Sequence, residues 1–399
     1  MQTYDFLIIG AGIFGLTTAI ELKKRKYSVA ILNPDSIPHP LAASTDISKI
    51  VRMEYGSDQE YFDMAEICMQ RWRSWNDFFG KKLYHEVGML MLCGERLESG
   101  KQEYERKSYS NLIKKNYAVE EISQEDIIHR FPAINPDRYK EVHFNPTAGY
   151  VEASEVLVTL AKYARQLGVE IHLGKTAETF LSNQGSFSSL KTKEGSSFSA
   201  GHCIVAAGSH TPLLLPGLQP YLKASGHPVF HFKPLDPKPF QSNKLGVFMA
   251  DISNTGWYGF PFHPKQGVIK IGRHREGLYL NPEKDDRRIT DEEVEECRQF
   301  LKASIPSLAE APLVYTRRCL YTDTLDGHFW IDQHPEIKGL SVSSGGSGHA
   351  MKMGPLLGEM TADMAEGKKH RFSQRHLWRE LKADTIPTEE SRYLKARKQ

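Results

Sequence analysis

Six residues near the amino end, Gly10-Ala-Gly12-Ile13-Phe14-Gly15, restrict what this chain can fold into more than any other stretch. They follow an apolar run of β type, Tyr4 to Ile9 (YDFLII), and open a segment, Leu16 to Lys26, that reads as a helix. Glycines at this spacing let a strand turn tightly into a helix and let the backbone approach a pyrophosphate, which then sits on the amide groups of the helix start. Alone, such a glycine pattern is weak; strand, turn and helix in immediate succession make it specific. Tyr27 to Leu32 (YSVAIL) reads as the second strand. The position that normally holds ribose hydroxyls as Asp or Glu is here Asn33, which can accept a hydrogen bond without charge, and Asp35 is the other acceptor nearby.

A chain of 399 residues has ample core for a buried cofactor, in one large domain or two interleaved ones. Its 51 basic and 49 acidic side chains nearly cancel, to a formal +2, so no nucleic-acid or other polyanion partner is expected. The basic end, Lys395 to Lys398, reads as a solvated tail. No apolar run has the length of a membrane span, and Met1 to Asp5 leads straight into a strand without a leader. Cys68, Cys93, Cys203, Cys297 and Cys319 are scattered, with no Cys-x-x-Cys pair. That pattern excludes a zinc site or disulfide framework and points to a reducing, cytoplasmic setting.

Between these ends, Tyr61 to Phe79 reads as a packed amphipathic helix and Glu103 to Ile128 as a solvated, charge-rich helical excursion. His85 to Cys93 reads as one strand opening a second domain. Ser154 to Leu167 is helical with Ser154 as its N-cap, Gly168 ends it, and Val169 to Leu173 is a strand. Cys203 to Ala207 is a buried strand that ends at Gly208. Val229 to Phe232, Leu245 to Ala250, Tyr258 to Pro261 and Val268 to Ile271 suggest an antiparallel meander. Lys270 lies inside the last of these, where an ammonium costs desolvation unless it has a partner. On pattern alone it reads as an edge lysine turned to solvent. Asn281 to Leu301 is charged and helical, with a good helix opening at Thr290, and residues after His370 read as a terminal helix and tail.

The stretch from Arg317 to Met353, RRCLYTDTLDGHFWIDQHPEIKGLSVSSGGSGHAMKM, resembles the carboxy-terminal signature of the monomeric sarcosine oxidase family of FAD-dependent amine oxidases. That family, within the D-amino-acid-oxidase-like superfamily, includes N-methyl-amino-acid, pipecolate, saccharopine and fructosyl-amino-acid oxidases, and the likeness runs with gaps from the first strand to about Gly367. It implies an α/β fold in which a glutathione-reductase-like FAD-binding Rossmann domain (1–86, 147–222 and 319–399) interleaves with an α+β substrate domain on an antiparallel sheet (87–146 and 223–318). It implies FAD held covalently through Cys319 as an 8α-S-cysteinyl thioether, with Arg317 and Arg318 favouring the thiolate. Cysteine statistics alone would make Cys319 a buried strand residue. Ser44, Lys49, Ala177, Ala207 and Gly208 would join the glycine turn in binding FAD. Gly346, Gly348, His349 and Lys352 would do so from the carboxy-terminal side, at the start of a helix over Pro355 to Ala365.

For catalysis the resemblance assigns Arg52 and Lys352 to a substrate carboxylate, Lys49 to the flavin's side, and Lys270 to reaction with O2. Tyr258, Tyr321 and His274 would shape the amine pocket. The implied reaction is hydride transfer from the carbon beside an amine to flavin N5, reoxidation by O2 giving H2O2, and hydrolysis of the imine. No metal is required. Four residues after the oxygen-activating lysine, the fructosyl-amino-acid oxidases carry glutamate; His274 stands there, as in the sarcosine and pipecolate oxidases, while Lys49 points weakly the other way. The expectation is a monomer acting on an N-alkyl or cyclic amino acid such as sarcosine or pipecolate. A glycated amino acid or saccharopine is the alternative, as is a flavin dehydrogenase with a non-oxygen acceptor or a non-catalytic flavoprotein.

Overall fold

The computed structural model describes residues 3–385, 387 and 392. The amino-terminal pattern folds as its periodicity dictates. Strand Thr3–Ile9 lies parallel to Val29–Asn33 on one side and to Ser197–Val205 on the other, and helix Ile13–Lys24 starts directly after the glycine turn. The sheet extends through Glu170–Leu173 at one edge and Ser186–Thr192 and Ala177–Asn183 at the other. Leu340–Ser344 pairs in parallel with the inner part of Ser197–Val205 and brings Trp330–Gln333 with it.

Small residues set the spacing of this layer. A Cβ on Gly15 would lie 1.9 Å from Gly10 O, and one on Gly358 would lie 2.4 Å from Thr17 O. Only glycine therefore lets helix Ile13–Lys24 close onto the turn and cross helix Ala350–Ala365 this tightly. Helices Gln59–Phe79 and Ala153–Gln166 complete the apolar layer around Leu16, Trp72, Leu157 and Leu357.

A second, nine-stranded sheet is built on Leu222–Phe232, which pairs with Ile269–Arg273 on one side and with Leu313–Thr324 on the other. The sheet continues through Trp257–Gly259, Val247–Ala250, Met89–Cys93 and Glu141–Asn145, over a core that includes Phe230, Phe248, Ile271 and Leu301. A three-stranded sheet of Lys49–Val51, Gly149–Val151 and Tyr84–Glu86 carries the chain between the two.

Several local expectations are corrected. His85 to Cys93 is two strands in two sheets, Tyr84–Glu86 and Met89–Cys93, separated at Gly88, whose φ is +76°. Helix Ala153–Gln166 begins at Glu152, not Ser154; the Ser154 hydroxyl donates to Asp46 O at 2.9 Å. Glu103 to Ile128 is not one exposed helix but Glu103–Lys114 and Gln124–Arg130, and the first buries Tyr104, Glu105, Ser108 and Leu112. The helix expected from Asn281 is confined to Asp291–Ser304, where Thr290 and Glu293 form a reciprocal capping box. Pro355 lies within helix Ala350–Ala365 instead of starting it. After His370 the described residues include a 3-10 turn, Gln374–His376, and Arg392 is helical; the rest of the expected terminal helix and tail lies largely outside the described residues.

Gly15→Ala should overfill the turn, costing about 1–3 kcal/mol of stability. Thermal melting and the visible absorbance of bound FAD check this: a lower Tm with most of the cofactor lost is the expected outcome.

Candidate active site

The glycine turn opens a cavity of about 380 Å³. Its wall runs from Gly10, Gly12, Ile13 and Phe14 past Asn33 and Ser44 to Lys49 and Tyr321. Ala177, Ala207 and Gly208 line one flank, and Gly346 and Gly348 the other. Gly10 has φ +102° and its Cβ would lie 2.6 Å from Ala206 O, so the backbone itself forms this wall. Ser44 Oγ accepts the Ile13 amide at 3.1 Å, which ties the loop before the third sheet to the helix start.

Asn33 lines the cavity, but its amide is already engaged. Oδ1 accepts the Ala11 amide at 3.0 Å, and Nδ2 donates to Asp35 O at 2.8 Å and to Ser36 O at 3.2 Å. Asn33 thus braces the glycine turn. Asp35, offered as the substitute ribose acceptor, is exposed, and its Oδ1 accepts the Ser36 amide at 2.7 Å. His349, expected to bind the cofactor, is buried at the start of helix Ala350–Ala365, where Nδ1 meets Tyr55 Oη at 3.2 Å and the ring stacks on Phe329 at 4.7 Å. Gly15, Cys319, His349 and Lys352 are not part of the cavity wall.

Arg52 and Lys352 come from distant parts of the sequence and both reach the Tyr55 ring. The Arg52 guanidinium carbon lies 5.1 Å from the Tyr55 ring centre and Lys352 Nζ 5.0 Å from the same ring, with both residues buried. Trp72 Nε1 donates to Lys352 O at 2.9 Å and anchors that turn of helix. Tyr258, Tyr321 and His274 are also brought together. A Cβ on Gly348 would strike the Tyr321 ring at 2.6 Å and His274 Cε1 at 3.2 Å, and the two phenols sit close enough for burial and each other to matter. Burial raises the pKa of both tyrosines, Tyr258 well above the ordinary phenol value, so both stay neutral.

Lys270 does not face solvent. Its Nζ donates to Asp46 Oδ2 at 2.7 Å and to Ser48 O at 2.5 Å, over the ring of Phe260 at 4.6 Å. Asp46 was invisible to sequence reasoning, because an acid in a loop carries no periodicity. It serves two lysines: Lys49 Nζ is 3.4 Å from the same oxygen. Burial pulls the Lys270 pKa down to about 8 against the opposing pull of Asp46. Burial would raise Asp46, but Lys270 and Lys49 hold it well below the usual carboxylate range. For Lys49 burial acts downward and is outweighed by Cys319 and Asp46, so its pKa is raised.

The cation at the sulfur is Lys49, 3.8 Å from Cys319 Sγ. Arg317 and Arg318, expected to favour the thiolate, are committed elsewhere. Arg317 donates to Thr45 O and Ala42 O at 2.5 and 2.6 Å, and Arg318 grips Glu293 and Arg288 O. In a strand, neighbours point to opposite faces, so Arg318 could not share the face of Cys319.

The residues present suit FAD: a glycine turn at a helix start for a pyrophosphate, and an apolar cavity with cations at its far end. The family model described as FAD dependent oxidoreductase (DAO) matches residues 5–364, and the chain belongs to this family. Its relatives in this family include sarcosine and saccharopine oxidases. It is 28% identical to L-saccharopine oxidase of Schizosaccharomyces pombe, over 94% of this chain and 93% of that one. It is 27% identical to human peroxisomal sarcosine oxidase, over 91% and 92%. Among known structures, Amadoriase I of Aspergillus fumigatus superposes with TM-score 0.80 at 22% identity, covering 94% of this chain and 90% of that one. Glycine oxidase of Geobacillus kaustophilus superposes with TM-score 0.81 at 19% identity, covering 96% and 100%. Both share the fold.

Asp46→Asn strands a buried ammonium and should cost about 3–5 kcal/mol of unfolding free energy at pH 7, whereas Asp46→Asn with Lys270→Met should recover much of it. Urea denaturation of the two variants checks the sign.

Proposed function

We propose that this chain oxidises a small amine that carries a carboxylate, an N-alkyl or cyclic amino acid of the sarcosine or pipecolate kind, with dioxygen as the acceptor. The observation that carries this reading is the pair of buried cations, Arg52 and Lys352, converging on the Tyr55 ring. FAD, when bound, would supply the acceptor for the two electrons of the C–H bond beside the amine, and dioxygen, taking up those two electrons and two protons, would leave as hydrogen peroxide.

The chain's own residues bind, orient and set charge. Arg52 presents a planar fork to both carboxylate oxygens, and Lys352 adds a point charge, so the carbon beside the amine is held at one position. Tyr258 and Tyr321, neutral at working pH, give the amine an uncharged wall that favours its free-base form. Lys270 places a positive charge where dioxygen gains electrons. Cys319 would hold FAD by a thioether, with the Lys49 ammonium 3.8 Å from its sulfur.

His274, in place of a glutamate, supports the compact substrate over a glycated one. The likeness to S. pombe L-saccharopine oxidase favours a second reading, in which the acid is the head of a longer amino acid. Peroxide release over sarcosine, pipecolate, proline, saccharopine, N-methyl amino acids and fructosyl-lysine separates the two. No peroxide from any of them, with a dye acceptor also idle, removes the oxidase reading.

Arg52→Ala should raise KM at least tenfold, the loss of a charged bidentate contact; an unchanged KM takes Arg52 out of the carboxylate site. Lys270→Met should slow the oxygen half-reaction far more than the substrate half-reaction. In the unaltered chain the lysine is charged below about 8, so the oxygen half-reaction should fall as pH rises through that value. Acid precipitation reads the tether: a yellow pellet is expected, and colour left in the supernatant removes Cys319 from that role.

A further inference from the structure

One buried cation has no part in the scheme above. Arg392 lies beyond the stretch matched by the family, 5–364, yet its side chain is 0% exposed. Nη1 donates to Asp323 Oδ1 at 2.8 Å, and Nη2 reaches the other oxygen of the same carboxylate. Nη2 also meets His227 Nε2 at 3.0 Å and Ser225 Oγ at 3.3 Å, while Nε donates to Arg275 O at 2.8 Å. One planar group thus ties three pieces of chain: strand Leu313–Thr324, strand Leu222–Phe232, and the turn after Ile269–Arg273.

Two of those pieces carry residues assigned above to the amine. Tyr321 precedes Asp323 by two positions and shares its face of the strand; His274 directly precedes Arg275. The His227 ring stacks on Tyr321 at 4.1 Å with an interplanar angle of 21°, and the Arg392 guanidinium carbon lies 5.8 Å from the Tyr321 ring centre. His274 is 6.3 Å from Tyr321 and 6.4 Å from His227, ring to ring. Tyr321 therefore has a front on the cavity and a back held by His227 and the arginine. Because an arginine only donates, its contact at Nε2 requires that nitrogen to accept, which is the uncharged form of His227.

We propose that Arg392 is a positioning residue for the oxidase reaction: a carboxy-terminal clamp that holds Tyr321 and His274 in place and keeps His227 uncharged. The proposal rests on the oxidase reading for its kinetic test. A guanidinium that merely stapled the fold would, once removed, lower stability and scale activity by one factor at every pH. The clamp behaves differently. Without it Asp323 stays beside His227 and loses its guanidinium partner, and His227 gains a proton more readily as pH falls. Among the described residues, the other polar and titratable groups around this cluster are Tyr321 and Cys319 from the paired strand, His274 from the turn, Ser225 on its own strand, and Tyr279 opposite Ser225, with Glu276 beside it.

The test uses full-length holoenzyme and the best amine of the panel. Arg392→Gln is expected to keep its FAD absorbance and to lose kcat/KM by about 10–100-fold at pH 6, chiefly in kcat, and clearly less at pH 8.5. Arg392→Gln with Asp323→Asn, which leaves no unpaired acid, should lose the pH dependence but keep a reduced kcat. An equal loss at both pH values in Arg392→Gln, or none, overturns the clamp. Should that variant fail to accumulate, the double variant decides: wild-type kinetics in it overturn the proposal, and a reduced kcat supports it. If the unaltered chain oxidises no amine, the oxidase reading itself has failed. The visible spectrum of bound FAD then decides between pH 6 and 9, an acid-side transition in Arg392→Gln alone supporting the clamp and its absence overturning it.

Discussion

The pairing of Leu313–Thr324 with Leu222–Phe232 is the contact on which the site depends. It runs from Leu222 opposite Thr324 to Phe232 opposite Leu313 and belongs to the substrate-side sheet. Its far end, however, delivers Tyr321 to the wall of the FAD cavity and leads through Trp330–Gln333 into the nucleotide-side sheet. Backbone register places Cys319 opposite His227 and Tyr321 opposite Ser225, with alternate residues on one face. A slip of one residue would turn the phenol away from the cavity and the thiol away from Lys49 together, and bring Arg318 inward in their place. The boundary between the two halves, expected at residue 319, therefore falls inside a continuous strand. The sulfur and the cavity are joined by one rigid element, not by a linker.

Charge is the second constraint. Lys270 and Lys49 both lie within hydrogen-bond or ion-pair distance of Asp46, and Lys270 and Asp46 are buried. Two ammoniums against one carboxylate leave a net positive centre next to Cys319, and that excess is what a site handling anions and incoming electrons needs. Arg52 and Lys352 add a second positive locus, softened by the face of Tyr55. Such centres are costly to build. Around Arg52 and Lys352 the packing is by Tyr104 and Trp72, both buried.

Much of the nucleotide half was legible from local pattern. Strand, glycine turn and helix are close in sequence, and each carries its own period, so Tyr4 to Lys26 could be read without knowing what packs on it. The same holds for Cys203 to Gly208 and for Thr290 at the start of its helix. Reading failed where a residue's meaning came from a partner far along the chain. Ser154 looks like a cap, but its hydroxyl is taken by Asp46 O. Glu103 to Ile128 looks solvated, but Glu105 is buried against Gln102 and Ser253. Lys270 looks like an edge lysine until Asp46, 224 positions earlier, is seen against it.

What the order of residues determined by itself was the kind of fold and the kind of cofactor, because glycine spacing, apolar periodicity and the Arg317–Met353 stretch are local properties of the chain. Only the folded arrangement decided which charges meet: Lys49 at the Cys319 sulfur instead of the adjacent arginines, Asp46 between two lysines, and Arg392 behind Tyr321. The physical reason is that an ion's behaviour in a protein is set by what surrounds it within a few ångströms, and here those surroundings come from segments that have no sequence proximity.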